Sequence, residues 1–142
     1  MIRFVDDFLN GITQYRLVLY FLVCLLLVAT ALSAFGVLPF SPMALLFSAF
    51  LLTLVCWLSN TFFARVFRAQ TNLESVYITA LILVLIMTPA RTLQDALLLG
   101  LVAVLSQGSK YILAIGKKHI FNPAAFAVFL SAVTLNYSAS WW

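Results

Sequence analysis

Long apolar runs separated by short polar breaks dominate the chain from Arg16 onward. No charged residue occurs between Arg16 and Arg65. A membrane-spanning helix needs about 20 mainly apolar residues, so this run is long enough for two helices. Glycine and proline residues interrupt the run near its middle, which is typical of a loop. The pattern therefore predicts one helix over residues 17–35 and a second over residues 42–64.

The second half of the chain carries shorter apolar runs. The first run ends at Thr88-Pro89, the second contains Lys110 within its apolar pattern, and the third begins at Pro123. The first of these runs is short for a complete crossing, and short or proline-interrupted spans are pointers to a transporter-type binding site. Three further helices are predicted, over residues 73–88, 93–115 and 123–139.

Residues 1–16 precede the first apolar run and alternate between polar and apolar side chains with a period close to 3.6. This pattern predicts a short amphipathic helix that lies in the membrane interface. The alternative is a signal peptide cleaved near residues 29–31. It is disfavoured because the leader is long and acidic and the apolar run exceeds the usual length of such peptides.

Composition agrees with the apolar pattern: 65% of the residues are hydrophobic and only 8% are charged, and the mean hydropathy is +1.13. Soluble domains carry roughly 25% charged residues, so an ordinary soluble domain is excluded, as is a disordered chain. The net charge of +4 does not indicate nucleic-acid binding, which needs basic residues on a solvated face. We expect an all-α integral membrane protein with about five transmembrane helices in a lipid bilayer.

Basic residues are distributed unevenly between the predicted loops. With the N-terminus in the cytoplasm, every Lys and Arg except Arg91 lies on or near the cytoplasmic side. Cytoplasmic loops of membrane proteins carry an excess of Lys and Arg. We therefore expect a cytoplasmic N-terminus.

Polar side chains within predicted spans are costly and are candidates for function. Ser75 and Thr79 lie one turn apart on the third predicted helix, which Thr71 and Glu74 open as a capping box. The alternative, favoured for two isolated residues, is that both hydroxyls bond back to helix carbonyls. Cys24 and Cys56 have no neighbours at metal-ligand spacing and are expected to serve packing.

Lys110 and Asn122 flank the basic loop before the last predicted helix. Lys110 follows the most polar patch of any predicted span, although snorkelling to the membrane surface is the favoured alternative role. Asn122 is a preferred N-cap and Pro123 suits the first helical position. Helix starts bind phosphate readily, so the starts of the third and fifth helices are expected to converge on a pocket for an anionic ligand. The alternative is two ordinary capped helices beside a basic loop.

Two motifs resemble the NqrB/RnfD family, the flavin-carrying membrane subunits of bacterial ion-translocating electron-transfer complexes. Glu74–Leu83 followed by Thr88-Pro89 resembles the family's Ser-Ala-Leu-x-Thr-Gly-Leu-Leu-Leu-Ala helix that ends in proline. Lys110 and the later Phe121–Ala124 resemble the family's Lys and Phe-Asn-Pro-Ala at the same gap. The resemblance covers residues 73–142 well and the first two helices by hydropathy only.

The resemblance is closest to RnfD-like membrane domains fused to a ferredoxin reductase-type FAD/NAD domain. It implies one half of an inverted-repeat fold, completed by a second half or another copy of the chain. It also implies the bacterial inner membrane, a reductase domain or subunit as electron donor, and a flavin (FMN or riboflavin) as cofactor. The residues implied to bind the flavin are Ser75, Thr79, Lys110 and Asn122.

Several family features are absent from these 142 residues. They include the Ser-Gly-Ala-Thr type motif whose threonine carries covalent FMN, and the reductase domain that would hold FAD and NAD. The loop before Phe121 is basic, whereas the family loop is rich in Gly, Gln and Asn. We expect the chain to be a piece of a longer protein and assign no catalytic or metal-binding residue. The alternatives are a channel or transporter for a small solute or ion, and a plain membrane anchor.

Overall fold

In the computed structural model, the described residues are 13–115, 118–119, 121–137 and 139. Within them the chain forms five helices and one pair of very short strands. The interfacial helix predicted for residues 1–16 lies almost entirely outside the described part. The helices are α1 (Gln14–Ala34), α2 (Pro42–Phe67), α3 (Leu73–Ile86), α4 (Leu93–Ile112) and α5 (Pro123–Leu135). The strands β1 (Ala114–Ile115) and β2 (Lys118–His119) pair antiparallel between α4 and α5.

The starts of α2, α3, α4 and α5 coincide with the predicted ones, and the ends differ; α1, predicted over residues 17–35, begins three residues earlier and ends one residue earlier. α2 continues to Phe67 because the left-handed conformation of Arg68, with φ 49°, ends it there. α3 ends at Ile86, since Met87 is already extended ahead of the Thr88-Pro89 step. α4 ends earlier than predicted because the chain turns into β1, and α5 ends at Leu135 because Asn136 adopts φ 53°.

The predicted capping box at the start of α3 is wrong. Asn72, rather than Thr71, is the N-cap, and its Oδ1 accepts a hydrogen bond from the Ser75 backbone N–H at 3.3 Å. Glu74 instead pairs with Arg16 of α1, with 2.9 Å between Oε1 and Nε. Asn is a better N-cap than Thr, so the helix begins one residue later than the capping-box pattern indicates.

Two of the described helices, α1 and α2, are long and apolar enough to span a membrane, whereas α3 and α5 are apolar but shorter. α1 exposes most of its apolar side chains, including Phe21 and Leu27. Cys24 also lies exposed on α1, so the predicted packing role is met by the buried Cys56 but not by Cys24. The exposed apolar surface fits a protein embedded in lipid or covered by a further apolar partner.

The core lies between α2, α3 and α4, with α5 packed against α4. Its fully buried members include Leu52, Leu83 and Leu99, together with small residues such as Ala103 and Ala127. Small residues allow close approach of helix backbones in membranes. The bundle therefore positions its polar side chains by tight packing of neighbouring helices.

The two ends of the bundle carry different polar groups. One end holds the starts of α1, α3 and α5 and the ends of α2 and α4, and we call it the Lys110 end. The opposite end holds Arg91, whose guanidinium donates to the Pro39 carbonyl and lies over the Phe40 ring. There Thr92 and Asp95 form the capping box of α4.

Candidate functional site

Lys110 on α4 reaches across to the first turn of α3. Its Nζ donates to the Ser75 carbonyl at 3.2 Å and lies 3.3 Å from Ser75 Oγ. The lysine is half-buried, and its side chain is directed to a neighbouring helix rather than extended away from the bundle. Two residues far apart in sequence thus form one polar contact at the Lys110 end.

Thr79 lies one turn beyond Ser75 and is buried. Its Oγ1 donates to the Ser75 carbonyl at 2.7 Å, which is the back-bonded arrangement anticipated as an alternative for this hydroxyl. The Ser75 carbonyl therefore accepts from both Thr79 and Lys110. This shared acceptor links the side chains of Thr79 and Lys110, two of the predicted site residues.

Asn122 is the N-cap of α5, as predicted. Its Oδ1 accepts hydrogen bonds from the backbone N–H groups of Ala124 at 3.0 Å and Ala125 at 3.5 Å. Pro123 occupies the start of the helix, where its missing N–H costs nothing. The side chains of the preceding basic loop, residues 117–119, lie outside the described ones.

Two cavities adjoin these residues. The α3–α5 cavity, of about 260 Å³, lies between the starts of those helices. The α2–α4 cavity, of about 830 Å³, lies at the ends of α2 and α4. The lining of the α3–α5 cavity comprises Tyr15, Ser75, Ile78, Thr79, Ile82, Asn122 and Pro123.

Three of the four predicted site residues therefore surround one cavity. Ser75, Thr79 and Asn122 line the α3–α5 cavity. Lys110 lines the α2–α4 cavity and bonds to Ser75, which lines both. The geometry brings the starts of α3 and α5 to one place and sets the lysine at the boundary between the two cavities.

The α2–α4 cavity has a positive lining. Arg68 and Lys110 both contribute to it, and no Asp or Glu is among its described lining residues. Glu74 is paired with Arg16 of α1 and is not part of this lining. The local charge therefore favours an anionic ligand.

Reasoning from the sequence missed Asn60 and Tyr111. The Tyr111 hydroxyl donates to Asn60 Oδ1 at 2.7 Å, and its ring stacks against Phe63 and Phe67 with centroid distances of 6.1 and 5.9 Å. Asn60 is 3% exposed. A lone asparagine inside the apolar run of α2 is the signal that could have identified it, because polar groups at membrane depth are costly.

Deeper in α4, Ser106 and Gln107 are fully buried. Among the described residues, Ser106 Oγ has no hydrogen-bond partner, and the Gln107 amide interacts with the Cys56 thiol. Buried polar groups are normally satisfied by protein or ordered water. The polar patch of α4 thus faces the bundle interior over two successive residues.

Hydroxyl, amide and ammonium groups make up the chemistry of the site. Such groups donate or accept hydrogen bonds, and the ammonium neutralises negative charge. Within the part of the chain that the structure describes, no cluster of three His, Cys, Asp or Glu side chains could hold a metal ion. The arrangement therefore suits binding and orientation of a polar, anionic ligand.

Comparisons of the chain with protein-family models, with curated proteins and with solved structures found no match.

Proposed function

We propose that this chain is a membrane domain of a flavin-dependent electron-transfer protein of the NqrB/RnfD type. It helps to bind a flavin and to carry electrons from a NAD(P)H- or ferredoxin-linked donor. The observation that carries this proposal is the grouping of Ser75, Thr79 and Asn122 around the α3–α5 cavity, with Lys110 bonded to Ser75. The motif resemblance in the same helices supports the same function.

The residues present suit the ring system of a flavin, and because the α3–α5 cavity of about 260 Å³ is smaller than the usual range of small-molecule sites, the ribityl phosphate would extend beyond it. An isoalloxazine ring has a polar edge of carbonyls and ring nitrogens and an apolar opposite edge. The α3–α5 cavity is lined by Ser75, Thr79 and Asn122, which can form hydrogen bonds, and by Ile78 and Ile82, which supply apolar contacts along the same face of α3. When bound, the flavin supplies the redox chemistry, and the protein sets its position and electronic environment.

Each proposed residue has a separate role. Ser75 and Thr79 provide oxygen atoms for hydrogen bonds to the polar edge. Lys110, held through Ser75, stabilises negative charge on the reduced flavin or on its phosphate. Asn122 holds the first turn of α5 through two backbone N–H groups, and thereby keeps that wall of the cavity in place.

The proposed assembly is larger than this chain. We propose five spans, a cytoplasmic N-terminus, a second half or another copy of the chain, and a reductase domain or subunit as electron donor. Exposed apolar side chains support a lipid or protein partner along α1 and α5, since Phe21 is 63% exposed and Phe129 is 66% exposed. The bacterial inner membrane is the proposed location.

Flavin content tests the proposal. The chain purified from membranes is expected to carry flavin, read from its visible absorption per mole of protein. The double variant Lys110→Met, Asn122→Ala is expected to lose most of it, because one cation and one cavity wall are removed. Arg91→Met is the matched control, since this cation lies at the other end of the bundle. Stoichiometric flavin in the double variant would remove Lys110 and Asn122 from the site.

A channel or transporter is a second candidate, and the buried polar pair Ser106 and Gln107 favours it. Ser106 Oγ, which has no partner among the described residues, and the buried Gln107 amide suit a hydrated interior, and α3 and α5 are short, as in transporter binding sites. Solute uptake by liposomes that contain flavin-free protein would favour this candidate over electron transfer.

A further inference from the structure

The α2–α4 cavity lies where α2 ends and α3 begins. The connection between the two helices forms one wall and contributes Arg68 and Thr71, and α4 contributes Lys110 and Tyr111. The volume of about 830 Å³ lies within the range of small-molecule sites. This cavity is distinct from the α3–α5 cavity, to which the proposed function assigns the flavin.

Asn60 lines this cavity and carries a buried hydrogen-bond donor, Nδ2, without a partner among the described residues. Its side chain is 3% exposed, and it belongs to the cavity lining. Its Oδ1 accepts from the Tyr111 hydroxyl at 2.7 Å, whereas Nδ2 has no hydrogen-bond partner among the described residues. Buried amide donors are normally paired, so Nδ2 is suited to a ligand oxygen.

Aromatic packing holds this amide in a defined orientation. The Tyr111 ring stacks against both Phe63 and Phe67, and its hydroxyl bonds to the Asn60 oxygen. The amide oxygen is therefore committed to Tyr111, and the amide nitrogen remains the free group. A fixed donor binds a ligand oxygen with little loss of side-chain freedom.

The charge of the lining selects the ligand. Arg68 and Lys110 are both cationic, and no carboxylate is among the described lining residues. Two hydrogen bonds of the Lys110 ammonium go to Ser75, whereas the Arg68 side chain is exposed. A guanidinium binds phosphate oxygens as a rigid fork of donors.

The depth of the α2–α4 cavity in the membrane indicates which phosphate groups can reach it. α2 has 26 residues and rises about 1.5 Å per residue, so it exceeds a hydrocarbon core of roughly 30 Å. Its last turn therefore reaches the headgroup layer when the helix spans the bilayer. The cavity beside that turn opens at the depth of lipid phosphates.

We propose that the α2–α4 cavity is a binding site for a phosphate group, in which Asn60 Nδ2 and the Arg68 guanidinium bind the phosphate oxygens. The phosphate is that of an anionic phospholipid headgroup or free phosphate, which share this chemistry. The site does not require the flavin, and its two proposed phosphate ligands, Asn60 and Arg68, are not assigned to the flavin. Ser75 and Lys110, by contrast, border both sites. Lys110 adds positive charge from its position at Ser75.

Binding to protein in a maltoside detergent and phosphate-free buffer tests the site. The probes are phosphatidylglycerol, diacylglycerol with the same acyl chains but no phosphate, and inorganic phosphate. Retained lipid is counted by native mass spectrometry, and phosphate binding is read from the rise in melting temperature. We expect phosphatidylglycerol to be retained and diacylglycerol to be lost.

Asn60→Asp is the sharpest variant, because it keeps the size of the side chain and an acceptor for Tyr111 but replaces the donor by an oxygen. We expect it to weaken phosphatidylglycerol binding by about tenfold or more, the scale of one charge-assisted hydrogen bond. Arg68→Gln is expected to weaken binding as well. Arg91→Gln, at the opposite end of the bundle, is expected to leave binding unchanged.

The outcomes separate the possibilities. Asn60-dependent binding of phosphatidylglycerol alone assigns the site to a lipid headgroup, and Asn60-dependent binding of inorganic phosphate assigns it to free phosphate. If Asn60→Asp does not fold, the Arg68→Gln variant tests the site instead, because Arg68 is exposed and its substitution does not disturb the core. The proposal is overturned if neither probe binds the unmodified protein, or if binding is unaffected by both variants. Flavin content of the same samples reports on the proposed function independently.

Discussion

At the residue scale, two threonines in this chain make the same local hydrogen bond in different surroundings. Thr79 donates to the Ser75 carbonyl and Thr134 to the Leu130 carbonyl, each at 2.7 Å. Thr79 is buried and lines the α3–α5 cavity, whereas Thr134 is exposed. The local bond is therefore common to both residues, and burial beside the α3–α5 cavity distinguishes Thr79.

This pair provides a matched prediction. Thr79→Val keeps the shape of the side chain and removes the hydroxyl from the cavity, so we expect flavin affinity to fall by about fivefold to tenfold, the scale of one hydrogen bond. Thr134→Val loses the same local bond away from the cavity and is expected to bind flavin normally. Fluorescence titration with flavin measures both. Equal affinities in the two variants would show that the Thr79 hydroxyl does not contact the cofactor.

N-caps show how a residue-scale rule succeeds or fails. At α5, the adjacent Asn122 and Pro123 leave one favourable start, and the prediction is confirmed. At α3, Thr71 and Asn72 are both suitable N-caps, and the structure uses Asn72, the better N-cap of the two, while Glu74 pairs with Arg16 of α1. Two neighbouring candidates thus left the start of this helix open by one residue.

At the element scale, α4 approaches α2 closely at Gly108. A Cβ atom built there would lie 3.2 Å from Cζ of Phe63, whereas a Cβ at Gly100 on the same helix would meet no atom within 4 Å. Phe63 also stacks on Tyr111. The position of the Phe63 ring therefore links helix packing to the Asn60–Tyr111 hydrogen bond.

The two glycines predict different responses to the same substitution. Gly→Ala in a helix gains up to about 1 kcal/mol of helix propensity, so Gly100→Ala is expected to be neutral or stabilising. Gly108→Ala must displace the Phe63 ring and is expected to be less stable than Gly100→Ala by about 1 kcal/mol or more. Thermal unfolding in detergent measures the difference. Equal melting temperatures would mean that the ring moves without cost.

The starts of α2, α3, α4 and α5 were predictable, whereas the start of α1 and most helix ends were not. Pro42, Asn122 and Pro123 mark their helices through local chemistry that acts within one turn. Ends depend on weaker signals: Arg68 and Asn136 adopt left-handed conformations, for which glycine is the usual signal, asparagine a weaker one and arginine none. The end of α2 at Arg68 therefore had no local signal.

At the scale of the whole molecule, the polar groups of the bundle are divided between two ends. The Lys110 end carries both cavities and a positive lining, and the other end carries Arg91 next to Pro39 and Phe40. In a bilayer the two ends face opposite sides. The proposed cytoplasmic N-terminus places the Lys110 end on the cytoplasmic side.

Cysteine labelling tests this orientation. In a Cys24→Ser, Cys56→Ala background, Arg68→Cys is expected to react with a membrane-impermeant maleimide only in inside-out vesicles. Arg91→Cys is expected to react only in right-side-out vesicles. Mass spectrometry quantifies the label, and the background variant without either new cysteine is the control. Labelling of both positions from one side would contradict a membrane-spanning bundle.

The sequence by itself determined the apolar helices, most of their starts and the candidate residues on them, because these depend on composition, hydropathy and capping within a few neighbouring residues. Only the tertiary structure decided which side chains meet. Lys110 and Ser75 are 35 positions apart, and Tyr111 and Asn60 are 51 apart. Such contacts follow from how α2, α3 and α4 pack, and packing is a sum of many weak contacts that no local pattern encodes.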